Sequence, residues 1–176
     1  MKEIWRIVLK ITGWKIVSEI PPDLKKYIIA IAPHTSYRDF IVGVAIRGAM
    51  GFRASFLAKD SLFRFPFGYY FRAMGGIPVD RSKSHNIVEQ ITSIASRRDN
   101  FILAIAPEGT RKKVAQWKSG FYYISLVSGI PIIPALMDWE HREVRFLKPF
   151  VPSGNINADM PAFRDLYRGV KGYRDL

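Results

Sequence analysis

The chain has 176 residues, of which 48% are hydrophobic, so it is long enough for one domain with a real core and is not a disordered chain. It contains no cysteine, which excludes disulfides, thiolate nucleophiles and zinc–thiolate sites. The formal net charge of +12 predicts an anionic partner, which is nucleic acid, anionic lipid or a phosphorylated substrate.

The pattern of apolar residues predicts alternating helices and strands. The chain begins with an amphipathic helix over Met1–Ile11. The predicted strands are Trp14–Ile20, Tyr27–Ala32, Arg53–Lys59, Ile77–Val79, Phe101–Ala106, Pro131–Met137 and, at an edge, Glu143–Leu147. The predicted helices run from Ser36 or Asp39 to about Met50 and over Ser84–Arg98, Trp117–Ser128 and Pro161–Val170, with a partly helical segment at Ser61–Ala73.

This alternation is typical of an α/β fold. We expect a single domain over residues 1–176, with a mixed, largely parallel sheet flanked by helices. A functional site is expected at the carboxyl ends of the strands. The sequence has no signal peptide and no run of about 18 apolar residues, so we expect a soluble or peripheral protein.

A histidine and an aspartate follow the second predicted strand closely. His34 lies in the loop after Tyr27–Ala32, and Asp39 lies five residues further on. A carboxylate can fix the tautomer of an imidazole that takes a proton from a hydroxyl. The spacing alone is weak, because a capped helix beside a loop histidine has the same pattern. We interpret Ser36, between the two, as a helix cap.

A second polar block, Ala106–Arg111, follows the buried strand Phe101–Ala106. Gly109 permits a sharp turn with positive φ. Arg111 offers a planar cation suited to a phosphate or carboxylate. Glu108 is placed to bind a substrate hydroxyl or to hold Arg111. The alternative is a strand-to-helix turn with a surface ion pair.

Two further blocks complete the pattern. Gly75–Arg81 has two glycines that allow close backbone approach, and Asp80 can buttress Arg81, although an exposed salt bridge has the same sequence. Gly129–Pro134 is an apolar strand with prolines and carries no chemistry alone.

These four blocks, in this order, resemble the four motifs of the glycerolipid acyltransferase family, which includes 1-acylglycerol-3-phosphate acyltransferases. His34 and Asp39 match the His and Asp of the first motif, and Pro107–Arg111 matches the third. Gly76–Arg81 and Ile130–Pro134 resemble the second and fourth. The matches span about residues 28–137. Pro33, Ala106 and Lys112 depart from the family's usual Asn, Phe and Ser, and the chain lacks the hydrophobic N-terminal span common in the family.

The resemblance implies an O-acyltransferase. His34, oriented by Asp39, would take the proton from the free hydroxyl of a lysophospholipid, foremost 1-acylglycerol-3-phosphate, and that oxygen would attack the thioester of acyl-CoA or acyl-carrier protein. Arg81 and Arg111 are expected to bind the acceptor phosphate. Glu108 and Gly109 would shape the acceptor site beside Thr110. Lys59, at a strand end, is a further candidate for phosphate contact or a solvated lysine.

The same resemblance implies a place in phospholipid biosynthesis and contact with an anionic membrane surface, on the cytoplasmic side of the cell membrane. The interfacial candidates are the helix within residues 1–12 and the aromatic segment Phe63–Arg72, whose aromatic residues are alternatively ordinary core. We expect no cofactor beyond the acyl carrier and no nucleic-acid partner. We expect no metal, because the three histidines are far apart.

Two alternatives stay open at this point. One is acylation of another lysolipid, such as a lyso-aminolipid. The other is a non-catalytic basic module that binds membranes or nucleic acid, which explains the charge but not the four ordered blocks.

Overall fold

A seven-stranded sheet forms the centre of the protein. The computed structural model describes residues 2–18, 20–79 and 84–175, with the backbone only for residues 84–86. The strands are β1 Lys15–Ile16, β2 Lys26–Ala32, β3 Ser55–Lys59, β4 Gly76–Val79, β5 Phe101–Ile105, β6 Ile132–Asp138 and β7 Glu143–Phe146. Their spatial order is β1-β7-β6-β2-β5-β3-β4.

The pairing of the strands confirms the predicted mixed, largely parallel sheet. Neighbouring strands run parallel throughout, except for β6 and β7, which are antiparallel. The strand β2 lies in the middle, between β6 and β5. The residues that follow β2, β5 and β6 therefore emerge side by side at one edge of the sheet.

Helices cover both faces of this sheet, as predicted. They are α1 Lys2–Thr12, α2 Arg38–Met50, α3 Gly68–Ala73, α4 Ser84–Ser96, α5 Gly120–Ser128 and α6 Ile156–Asp165. Short 3-10 turns lie at Asp60–Phe63 and Tyr173–Asp175. No helix in the described part of the chain is long and apolar enough to cross a bilayer.

The alternation of side chains along β2 divides the core in two. Ile28 and Ala30 pack in a cluster with residues of α4, α5 and α6. Tyr27 and Ile29 pack in the other, with α1 and α2. Because both faces are covered, β2 is apolar at nearly every position, as the sequence pattern predicted.

The two strands at one end of the sheet differ from the prediction. The first strand covers only Lys15–Ile16, not Trp14–Ile20, because it pairs only with the start of β7. Trp14 is instead a buried core residue. The prediction that Glu143–Leu147 is an edge strand is wrong, since β1 occupies its outer side.

Two helix starts also differ, and α2 begins between its two predicted starts, Ser36 and Asp39. α5 begins at Gly120 rather than Trp117, and α6 begins at Ile156 rather than Pro161 because Asn155 caps it, its side chain accepting the Ala158 N–H. α2 begins at Arg38, two residues beyond Ser36. The N-cap position is Tyr37 rather than the predicted Ser36, but the Ser36 hydroxyl still accepts the Arg38 N–H at 3.2 Å, so it satisfies the free donor of the first helical residue.

Candidate active site

The polar residues of the first and third blocks meet at the carboxyl edge of the sheet. His34 follows β2 and Glu108 follows β5, and these two strands are parallel neighbours. The His34 and Glu108 loops therefore meet at the carboxyl ends of the strands, where a site was expected. On the other side of β2, Trp139 follows β6 directly.

His34 and Asp39 are in direct contact. The His34 Nδ1 atom lies 3.0 Å from Asp39 Oδ2, and the side chains are 27% and 2% exposed respectively. With Nδ1 donating to the carboxylate, the second ring nitrogen is left as an acceptor. This is the geometry of a general base, His34, whose imidazole is held in place by a carboxylate, Asp39.

Asp39 receives hydrogen bonds on both carboxylate oxygens. Besides His34, Oδ2 accepts the backbone N–H groups of Thr35 and Ser36, each at 2.8 Å. Oδ1 accepts the indole N–H of Trp139 at 2.7 Å. Burial opposes ionisation, but the bonds from His34, Ser36 and Trp139 outweigh it, so the pKa of Asp39 lies below its ordinary value. The carboxylate is charged at neutral pH.

Glu108 holds the backbone of His34. Its Oε2 atom accepts the His34 N–H at 2.6 Å. Burial raises the pKa of Glu108, and the hydrogen bond from His34 only partly opposes this shift. No ion pair joins Glu108 to Arg111 among the described groups, so the expectation that Glu108 holds Arg111 is wrong. Its contact with substrate stays a prediction.

A cavity of about 1290 Å³ opens beside this pair. Its lining joins the reactive pair to a largely apolar wall, which includes Phe40, Val44, Phe56 and Leu57. The polar part of the lining includes His34, Asp39, Thr110, Arg111 and Lys118, together with Arg47, Ser55, Glu89 and Ser119. The cavity can therefore take an apolar chain together with an anionic group.

The turn at Gly109 brings the cationic residues to this cavity. Gly109 has φ of +65°, as its sequence position predicted, and its N–H donates to the Ala106 carbonyl at 3.0 Å. Thr110 and Arg111 follow at the cavity wall. Sequence analysis missed Lys118, which lines the same cavity, because no motif marks it within its basic loop.

The remaining predicted phosphate contacts lie elsewhere. Lys59 ends β3 at the same sheet edge, but it is exposed and is not among the described residues that line the cavity. Asp80 and Arg81 fall outside the residues that the structure describes. Their expected roles stay predictions.

Trp139 is the second residue that sequence analysis missed. It lies 100 positions from Asp39 in the chain and just beyond the strand of the fourth block. The available signal was a tryptophan directly after an apolar strand, and its meaning depends on β6 being next to β2.

Close to Trp139, ligand atoms of Asp138, Glu140 and His141 lie within 4.8 Å of one another. His141 Nδ1 already contacts Asp138 at 2.9 Å, and Lys171 contacts Glu140 at 2.6 Å. The carboxylates of Asp138 and Glu140 are therefore already paired with His141 and Lys171. Nothing further points to a metal here, and its expected absence stays a prediction.

Comparisons with known proteins identify the family of this chain. A family model described as acyltransferase matches residues 10–138. The 1-acyl-sn-glycerol-3-phosphate acyltransferase of Cocos nucifera is 32% identical over 91 residues, which are 48% of this chain and 30% of that protein. The protein of the same name from Limnanthes douglasii is 27% identical over 143 residues, 77% of this chain and 49% of that protein.

The crystal structure of the 1-acyl-sn-glycerophosphate (LPA) acyltransferase from Thermotoga maritima has a similar fold, with a TM-score of 0.56 over 97% of this chain and 80% of that chain. At 17% identity, the likeness concerns the fold alone. The chain spans less than half the length of the two plant relatives. The family model covers most of this chain, and the chain belongs to the glycerolipid acyltransferase family.

Proposed function

We propose that the protein transfers a fatty acyl group from a thioester, acyl-CoA or acyl-carrier protein, to the free hydroxyl of a lysophospholipid, foremost 1-acylglycerol-3-phosphate. The observation that carries the proposal is the His34–Asp39 pair at 3.0 Å, at the wall of a cavity that combines apolar and cationic residues. The names of the plant relatives support this acceptor.

The chemistry uses the free nitrogen of His34. Nε2 removes the proton of the acceptor hydroxyl as its oxygen attacks the thioester carbonyl. The tetrahedral intermediate then collapses, and the thiolate leaves with the proton that His34 returns. Asp39 stabilises the imidazolium between these two steps. No acyl-enzyme forms, because the hydroxyl attacks the thioester directly.

The acceptor phosphate is assigned to the cationic part of the cavity. Arg111 offers a planar, permanently charged donor group, and Lys118 adds a second cation. Neither forms an ion pair with an acidic residue that the structure describes, so both are free to meet an anion. Thr110 adds a hydroxyl beside them.

The fatty acyl chain is assigned to the apolar wall. The rings of Phe40 and Phe56 meet edge to face at a centroid distance of 5.5 Å and line the cavity together with Val44 and Leu57. Burying each methylene of an acyl chain there contributes about 0.8 kcal/mol. With its acyl chain held on this apolar wall, the donor is oriented with its thioester towards His34.

The proposed reaction is a step in phospholipid biosynthesis. Because its lysolipid acceptor resides in a bilayer, we propose that the protein docks on the cytoplasmic face of an anionic membrane. Two exposed apolar groups support it. α1 exposes Ile4, Ile7 and Ile11, with Arg6 and Lys10 on the adjoining side. The ring of its Trp5 packs against Gly48 of α2, which holds α1 on the domain.

The aromatic segment before and within α3 supplies the other group. Its aromatic residues divide between core and surface: Phe63 is buried, whereas Phe65 is 97% and Tyr69 is 90% exposed. Arg64 and Arg72 lie among them. The mixture of exposed rings and cations suits an anionic bilayer interface.

The test is an acyl-transfer assay with the whole chain. Purified protein is incubated with labelled acyl-CoA or acyl-carrier protein and a panel of acceptors: lysophosphatidate, lysophosphatidylcholine, a lyso-aminolipid and monoacylglycerol. We expect a diacylated product foremost from lysophosphatidate. Transfer to the lyso-aminolipid alone would contradict the phosphate assignment. No transfer from either donor to any acceptor would contradict the function.

A further inference from the structure

We infer that Trp139 is a positioning residue for acyl transfer: its indole N–H fixes the Asp39 carboxylate in the orientation that holds His34. This inference rests on the proposed function for its kinetic test and on geometry alone for its structural test. The inference is based on the 2.7 Å hydrogen bond from Trp139 Nε1 to Asp39 Oδ1.

The bond is directed at the oxygen that the catalytic loop leaves free. The three donors of the loop, which are His34 Nδ1 and the N–H groups of Thr35 and Ser36, all converge on Oδ2. Within the described residues, Trp139 is the one protein donor to Oδ1. Without it, no described side chain restrains that oxygen, and the carboxylate can rotate about its terminal bond, which weakens its hold on His34.

Trp139 is itself held from three directions. Its backbone N–H donates to the Lys171 carbonyl at 2.9 Å. Its ring meets those of Trp14 and Tyr173 edge to face, each at a centroid distance of 4.9 Å. A restrained donor loses little conformational entropy when it binds Asp39, so more of the bond's strength orients the carboxylate.

The segment after α6 closes this arrangement over the His34 loop. Tyr173 stacks beneath the Arg38 guanidinium at 4.5 Å, and the Arg174 N–H donates to the Thr35 hydroxyl at 3.2 Å. A side chain at Gly172 would lie 2.5 Å from Thr35, so the two segments are in close contact. Trp139 therefore lies between the catalytic loop and the segment that covers it.

The test separates this role from simple packing. Trp139→Phe keeps an aromatic ring and removes the N–H. Trp14→Phe is the matched control, because Trp14 packs against the same ring but makes no side-chain hydrogen bond among the described residues. We expect Trp139→Phe to lower kcat about 10- to 100-fold with KM for both substrates within about twofold, since a bond to a charged group is lost. Trp14→Phe should stay within about threefold of wild type.

A double variant tests whether Trp139 acts through Asp39. In an Asp39→Asn background, adding Trp139→Phe should cause no further loss, because the carboxylate it positions is gone. An equal loss in both backgrounds would overturn the inference and leave Trp139 as a packing residue.

A measurement without substrate keeps the inference separate from the proposed function. In protein carrying ¹⁵N-labelled histidine, we expect His34 to be protonated on Nδ1 in wild type and in Trp14→Phe, and to exchange between tautomers in Trp139→Phe. An unchanged His34 spectrum in folded Trp139→Phe would overturn the inference. Absence of acyl transfer by wild type would instead contradict the proposed function, while the spectra would still report on Trp139.

Discussion

The Glu108 carboxylate accepts the backbone N–H of His34 at 2.6 Å, although 74 residues separate the two in the chain. The contact exists because β2 and β5 are parallel neighbours whose loops leave the sheet together. It places a carboxylate behind the loop that carries the proposed base. Glu108 therefore holds the backbone of the loop that carries His34.

Replacing Glu108 tests this role. Glu108→Ala leaves the His34 N–H without its partner, which costs about 1–3 kcal/mol, and we expect lower stability and a lower kcat. Glu108→Gln keeps an acceptor oxygen and should retain most of both. Chemical denaturation and steady-state kinetics measure the two effects. An equal loss of activity in the Gln and Ala variants would show that the charge matters rather than the hydrogen bond.

Arg111 is expected to set the affinity for the acceptor phosphate. Arg111→Ala should raise KM for lysophosphatidate about tenfold or more, because a charge-assisted contact is lost, and should leave KM for the acyl donor unchanged. Lys112→Ala is the control, since Lys112 belongs to the same basic loop but does not line the cavity. Equal changes in the two variants would mean that the loop attracts the anion only through its general charge.

The pKa of Asp39 predicts how stability depends on pH. Because its folded pKa lies below the ordinary value of 3.8, the charged carboxylate stabilises the fold above about pH 4 and loses this contribution as pH falls towards the folded pKa. The free energy of unfolding of wild type should therefore exceed that of Asp39→Asn at pH 7, and the difference should shrink in acid. A difference that stays constant from pH 7 to pH 3 would contradict this assignment.

The exposed aromatic segment predicts membrane binding. A large apolar side chain that becomes buried in the bilayer contributes about 1.5–3 kcal/mol to binding. We therefore expect Phe65→Ser with Tyr69→Ser to weaken binding to phosphatidylglycerol vesicles at least tenfold in a sedimentation assay. Val151→Ser changes another exposed apolar residue outside both apolar groups and serves as the control. Undiminished binding by the double variant would place the contact elsewhere.

Much of the fold followed from local pattern. The continuous apolar runs of β2 and β5 were predicted to within a few residues because burial on both faces leaves a strong signal, and α4 because its apolar residues recur at helical spacing. The β1 and β7 region was predicted less well. The length of β1 depends on which strand lies next to it, and periodicity carries no information about that neighbour.

The candidate site was likewise predicted only in part. The sequence identified His34, Asp39 and Arg111 because each follows a strand within a recognisable block. It missed Trp139 and the contact of Glu108 with the His34 backbone, because both contacts join loops whose proximity is decided by strand order. Strand order is a property of the whole chain and is not visible in any one segment.

His34→Ala removes the group proposed to take the proton of the acceptor hydroxyl. The measurement is transfer from labelled acyl-CoA or acyl-carrier protein to lysophosphatidate, with circular dichroism and thermal unfolding as checks on the fold. We expect a folded variant whose rate falls by at least about 100-fold, the contribution typical of general base catalysis. A folded His34→Ala protein that turns over at the wild-type rate would rule out His34 as the general base.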